Sequence, residues 1–405
     1  MVCGNTGGMA QPAVRDDINL LDGDWYAGQP FDDWAWMRAH APVFHDVAND
    51  VWAINRYHDV LAVSKDPATF SSERAPRPHG TSMAMMISMD DPMHARRRKL
   101  VSGGFTPRRV RAHHDTITRI CTSIIDRVCT TGSCDFVADI AAPLPLLLIA
   151  DMLGFPPESY DDLLQWSDEL LQATVGKPEA MEAAMMAAIA FREFQLPVIA
   201  ERRAAPPADD LVSVLCHAEI DGERLDDESI VMESMLILIG GDETSRHVIA
   251  DGMLALLDHP DQQAWLAADS ARLEVGVEEL LRWVSPIKNM ARTVTTQTEL
   301  GGATLPQGAQ VMLMYPSANR DDAVFDQPDR FDVSRDPNPH LAFGFGPHFC
   351  MGASLARLEL RVMFAELLRR LPDIALDGPV TRRSSNFISG PETMPVVFTP
   401  AGPEG

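Results

Sequence analysis

Phe343-Gly344-Phe345-Gly346-Pro347-His348-Phe349-Cys350-Met351-Gly352 is the stretch on which the fold turns. Three glycines flank one cysteine, and a helical pattern over 351–370 follows at once. Glycine lets a backbone bend tightly and come close to a flat ligand. A cysteine at a helix N-terminus sits in a positive field that favours thiolate. Amides of the first turn can donate to its sulfur and tune a metal bound there. The plain alternative, a buried cysteine in a glycine turn, suits a bare G-x-G better than this whole arrangement.

Outward from the cysteine, helical signals dominate. Residues 226–257 form one proline-free pattern that opens Asp-Asp-Glu and stops before Asp258-His259-Pro260, the expected punctuation of a helix. It would span roughly 45–50 Å. Its middle, 232–241, is apolar on nearly every face apart from Glu233 and Ser234, which suits a helix through the centre of a large protein. Other helices are expected at 31–40, 58–65, 108–131, 156–174, 179–203 and 273–283. Short strands are expected at 51–55, 294–300, 310–315 and 394–399. Residues 316–342 are acidic, rich in Pro and Asn and without periodicity, a kind of segment that is usually functional. The strands lie at both chain ends around the helices. One domain is therefore expected over 16–400, mainly α with a smaller β part, after a frayed tail at 1–15.

Composition narrows the function. The 405 residues are 46% hydrophobic and 23% charged, as in soluble globular proteins. No run of 18 apolar residues occurs, so no transmembrane anchor is expected, and the N-terminus does not read as a signal peptide. Cysteines at 3, 121, 129, 134, 216 and 350 form no C-x-x-C pair. That excludes zinc-ribbon and thioredoxin readings and fits free thiols in a reducing cytoplasm. A net charge of -24 disfavours nucleic acid and anionic membranes as partners.

The ten-residue segment resembles the haem-binding signature of the cytochromes P-450, Phe-Gly-x-Gly-x-His-x-Cys-x-Gly. Three further segments match that family in order and spacing, so the resemblance covers nearly the whole chain. It implies the family's prism-shaped single-domain fold, with haem b between the helix at 226–257 and the helix after Cys350. It implies Cys350 as the axial ligand, with Phe343 and Gly352 beside the haem. It places His94, Arg98, Arg292 and His348 on the propionates, for which Arg is well suited. Glu279-Leu280-Leu281-Arg282 matches the family's Glu-x-x-Arg, with Arg330 implied as third member of a buried triad that fixes geometry. Gly240-Gly241-Asp242-Glu243-Thr244-Ser245 resembles the oxygen-activation motif, with Gly240 where Ala is common and Glu for Asp. There the glycines would widen the groove for dioxygen, Thr244 would bond the iron-bound oxygen and Glu243 would relay protons. A helix threonine can instead bond back to its own turn. Asp242 points about 100° from Glu243, which suits a surface or pairing role.

Segments 83–89, 235–240, 287–290 and 387–389 would line the space above the haem. They are apolar, with Met86, Ile87, Leu236, Ile239, Gly240, Ile287, Met290, Phe387 and Ile388 as candidate contacts, and suit a large lipid. Met-Met-Ile-Ser-Met-Asp-Asp-Pro-Met-His and Ile-Leu-Ile-Gly-Gly-Asp-Glu-Thr-Ser-Arg-His look like the bacterial sterol side-chain hydroxylases. That resemblance implies oxidation of the terminal methyl of cholesterol or cholest-4-en-3-one with O2, in sterol catabolism. A monooxygenase for fatty acids or terpenes would share every motif. A peroxygenase or a haem-binding sensor or carrier would have no need of the acid–alcohol pair. Finally, residues 96–111 hold seven Arg or Lys and no acid. Arg97, Arg108, Arg109 and Arg111, with Arg357 and Arg361, would form a positive patch for an acidic ferredoxin fed by an NAD(P)H-dependent reductase.

Overall fold

The computed structural model describes residues 15–172, 178–220 and 222–404, so the tail expected at 1–15 lies outside it apart from Arg15. The helices that position the site are α1 (Met93–Ser102), α2 (His114–Val128), α3 (Pro143–Leu153), α4 (Tyr160–Gln172), α5 (Pro178–Ala204), α6 (Asp227–Asp258), α7 (Leu273–Val284) and α8 (Ala353–Arg370). Strands β1 (Val43–Asp46), β2 (Val51–Ile54), β3 (Phe70–Ser71), β4 (Asn289–Val294) and β5 (Gln310–Met314) form one sheet in the order β1-β2-β5-β4-β3. β5 runs parallel to β2 and antiparallel to β4, with Met312 opposite Ala53 and Ala291.

α6 begins where its sequence says it should, with the Asp226 carboxylate accepting from the Ser229 amide, a capping bond that satisfies a free helix donor. It packs against α3, α4, α5, α7 and α8. Being surrounded on so many sides explains why its middle is apolar on almost every face. The largest core cluster forms around it, from Met85 to Phe398.

Several expectations are corrected. The helix expected over 108–131 is two, Pro107–Ala112 and α2. The strand expected at 294–300 ends at Val294, and Thr298–Leu300 pairs separately with Ala303–Leu305. α3 is not among the expected helices; Pro143 and Pro145 lie in its first turn, where the N–H that proline lacks is not needed. The helix Glu179–Ala204 is long and apolar enough, by length and composition, to cross a membrane. It packs on α4 and α6.

Candidate active site

The cysteine loop is built by its glycines. Gly344 and Gly346 both take positive φ, 66° and 73°, where side chains are strained. A Cβ on Gly346 would also stand 2.2 Å from the Ser64 carbonyl oxygen. The turn they make brings Phe343 back over Cys350, whose N–H donates to the Phe343 carbonyl at 2.9 Å. Burial pushes the Cys350 thiol up, and a bond from the Gly352 amide with the charges of Arg98 and Arg357 pulls it partly back.

Four basic side chains gather beside the loop. The His94 and His348 rings lie 4.1 Å apart, and Arg98 donates to the Phe349 carbonyl at 2.6 Å. Arg292, buried on β4, donates to its neighbour Ala291. Burial lowers the His348 pKa to about 3, with Arg292, His94 and Arg98 pushing the same way. Asp91 lies 3.6 Å from His94, and the Asp90 charge also acts on His94 and Arg292. A cluster of basic groups this short of carboxylate fits a ligand that carries two, as the propionates of haem do.

Across from the loop, α6 offers open backbone. A Cβ on Gly240 would meet nothing within 4 Å, whereas one on Gly241 would stand 2.9 Å from Ile149 of α3. Only the first glycine widens the groove; the second permits close helix packing. The Thr244 hydroxyl donates to the Gly240 carbonyl at 2.9 Å, the back-bond of a helix threonine.

Glu243 is fully buried and crowded by bases: Arg246 at 2.7 Å, Arg383 at 3.2 Å and His247 at 3.4 Å. Burial alone would raise its pKa, but these neighbours hold it below the usual carboxylate range. Asp168 of α4 accepts from both arginines, at 3.2 and 3.1 Å. Asp242 is buried, not on the surface, and pairs with Arg246 at 3.1 Å; burial, with Glu243 alongside, raises its pKa.

Behind the loop, Glu279 and Arg282 of α7 form a two-bonded pair at 2.7 Å with both side chains wholly buried. The third member is Arg335, at 3.2 Å, and not Arg330. The Arg330 side chain is exposed, and only its carbonyl takes part, accepting from Arg282 and Arg335. Asn338 and the Asp332 amide complete the carboxylate's bonds.

Two of the expected lining segments, 287–290 and 387–389, meet. Ile287 bridges Ile388, and the Lys288 amide donates to the Phe387 carbonyl at 2.7 Å. Leu236, Ile239, Met290 and Ile87 are partly accessible, and Met86 is buried. Arg77 was not foreseen. It stacks on Phe387 at 4.5 Å and bonds Asn289 and Asn386, tying these segments together. No local pattern marks it, because its partners lie more than 200 residues away.

The positive patch shrinks. Arg97 faces Glu233 at 3.6 Å, and Arg357 is bound twice to Glu278, at 2.6 and 2.7 Å. Arg361 lies 3.7 Å from Glu274, and Arg109 reaches Asp209. Lys99, Arg108 and Arg111 are exposed and have no carboxylate partner among the described residues. Arg98 ties α1 to the cysteine loop, and the Pro107–Ala112 helix packs on α8, so these three cations lie on elements that adjoin Cys350's own.

A thiol just ahead of α8, an open position on α6 and four basic side chains beside the thiol's loop are the features that the structure brings together. Residues 177–372 match the Cytochrome P450 family model. The chain is 50% identical over 98% of its length, and 99% of the relative's, to a Steroid C26-monooxygenase of Mycolicibacterium smegmatis. It is 49% identical to a Steroid C26-monooxygenase of Mycobacterium tuberculosis, over 96% of this chain and 99% of that one. Among solved structures, Mycobacterium marinum cytochrome P450 CYP268A2 in complex with pseudoionone superposes with a TM-score of 0.88. It is 35% identical, covering 95% of this chain and all of that one. The chain belongs to the cytochrome P450 family, and haem is its cofactor.

Proposed function

We propose that this cytochrome P450 is a monooxygenase that hydroxylates the terminal methyl of a sterol side chain, and oxidises it further, within sterol breakdown. The observation that carries this is the 50% identity, over nearly the full chain, to Steroid C26-monooxygenases. The apolar lining supports it, since Leu236, Ile239, Ile287, Met290, Phe387 and Ile388 offer a long lipid no polar group to desolvate.

Haem, held by Cys350 with Phe343 and Gly352 beside it, would supply the oxygen chemistry, using O2 and two electrons. His94, Arg98, Arg292 and His348 would hold its propionates. The protein's own task is to place the substrate tail and move protons. Gly240 leaves the space and Thr244 offers a hydroxyl at its edge. Glu243 can relay a proton only by turning from Arg246 and Arg383, which share Asp168. Relay groups contribute typically 10²–10⁴-fold.

The test is a ligand titration read by the haem spin state. Cholest-4-en-3-one is expected to shift it more than fatty acids or small terpenes, and turnover to yield the terminal alcohol. Hydroxylation chiefly on the rings, or a stronger response to a fatty acid, would overturn the sterol reading.

Electrons come from a redox partner, and we propose a small acidic ferredoxin supplied by an NAD(P)H-dependent reductase. Lys99, Arg108 and Arg111 support this, as cations without a carboxylate partner among the described residues, on elements that adjoin the cysteine loop of a chain with net charge -24. Arg108→Glu with Arg111→Glu is expected to slow ferredoxin-driven turnover and weaken its dependence on ionic strength, exposed charges being screened over about 8–10 Å. Peroxide-driven turnover should be unchanged; an equal response of both routes would remove the patch. Residues 16–400 are read as one domain, and the free thiols at Cys121, Cys129, Cys134 and Cys216 suit the cytoplasm.

A further inference from the structure

Glu233 is the one acid in the apolar middle of α6, and the proposed oxygen chemistry does not need it. It precedes Thr244 by eleven residues, which brings the two within about 20° of each other around the helix. Leu236 and Gly240 lie near the same line. Those three are accessible to different degrees, whereas Glu233 is completely buried.

What covers it is the single turn Met86–Ser88. The Met86 N–H donates to Glu233 Oε1 at 2.9 Å. Arg97 of α1 stands by with Nη1 3.6 Å from the same oxygen, close enough for charge and too far for a hydrogen bond. Glu233 Oε2 and Arg97 Nη1 are both buried without a hydrogen-bond partner. Burying a carboxylate with so little compensation is costly, and a leucine or methionine would suit the surroundings better. The useful product of that cost is the bond to Met86. Among the described residues the turn's other backbone bonds are mostly local: Met85 donates to Met83 at 2.7 Å, Ser88 to Met85 and Met89 to Met86 at 3.3 Å, while the Met89 backbone also meets His348.

We propose that Glu233 is a positioning residue for the substrate. By holding the Met86 amide it sets how closely the wall at 83–89 approaches α6, and so where along the Leu236–Gly240–Thr244 face a lipid tail comes to rest. Arg97 is its counter-charge, which removes Arg97 from partner docking. The inference rests on reading 83–89 and 235–240 as chamber lining.

Two variants separate the bond from the charge and the bulk. Glu233→Gln keeps an acceptor for the Met86 amide and drops the charge. Glu233→Met keeps the bulk and drops the acceptor. Each, loaded with haem, is titrated with cholest-4-en-3-one and with hexadecanoic acid, and products are mapped by carbon position. Glu233→Met is expected to raise the dissociation constant about tenfold, the worth of one buried hydrogen bond. It should also spread oxidation from the terminal carbon to its inner neighbours. Glu233→Gln should stay within about threefold and keep the parent's product. Equal losses in both variants, or an unchanged product position in Glu233→Met, would overturn the proposal. A parent that responds to hexadecanoic acid and not to the sterol overturns the sterol reading instead, and the positioning role is then read with the acid.

Discussion

Cys350→Ser is expected to bring ferredoxin-driven turnover to background and to abolish the long-wavelength Soret band of the reduced carbon monoxide complex. A serine oxygen cannot push electron density onto haem iron as a thiolate does. The substitution spares what builds the loop, namely the positive φ of Gly344 and Gly346 and the bond from residue 350 to the Phe343 carbonyl. Haem binding through the four basic groups and the surrounding apolar walls should survive, so the loss is one of ligation and not of folding. An unchanged Soret band in the variant would remove Cys350 from the iron.

The second large effect is on stability. Glu279→Ala leaves Arg282, wholly buried, and Arg335, nearly so, without their carboxylate. Breaking a buried pair in this way costs about 3–5 kcal/mol. Arg335→Ala removes one bond while the Arg282 pair persists, for about 1–3 kcal/mol. Arg330→Ala should stay within about 0.5 kcal/mol, because Arg282 and Arg335 use only its backbone carbonyl. Urea unfolding of the three variants, each loaded with haem, checks the order. Equal sensitivity at 330 and 335 would show that the third member has been misassigned.

The exchange of Arg330 for Arg335 shows where sequence reasoning stops. Pro328-Asp329-Arg330-Phe331 sits at the expected distance from the cysteine, but the segment around it has no periodicity to say which side chain turns inward. The choice is made by folding: the chain wraps α7 so that the carbonyls of Asn319, Pro328 and Arg330 meet Arg282. The Arg335 side chain then points at Glu279 from 56 residues away. The same holds for the positive patch. Arg357 and Arg97 look alike in sequence to Arg108 and Arg111, and only their distant partners Glu278 and Glu233 set them apart.

Sequence alone determined the long central helix and the glycine-built loop at Cys350 with the helix after it, while the family resemblance pointed to the glycine pair of that central helix and to the four bases beside the loop. The helix and the loop follow from neighbours along the chain: helical period, capping and the φ freedom of glycine. Tertiary structure decided which cations are neutralised, that Glu243 is clamped between arginines, that Gly241 serves packing against Ile149, and that Glu233 holds the Met86 turn. Those outcomes depend on burial and on carboxylates brought from elsewhere in the fold. An ion pair is a property of two segments in space, and neither segment carries it alone.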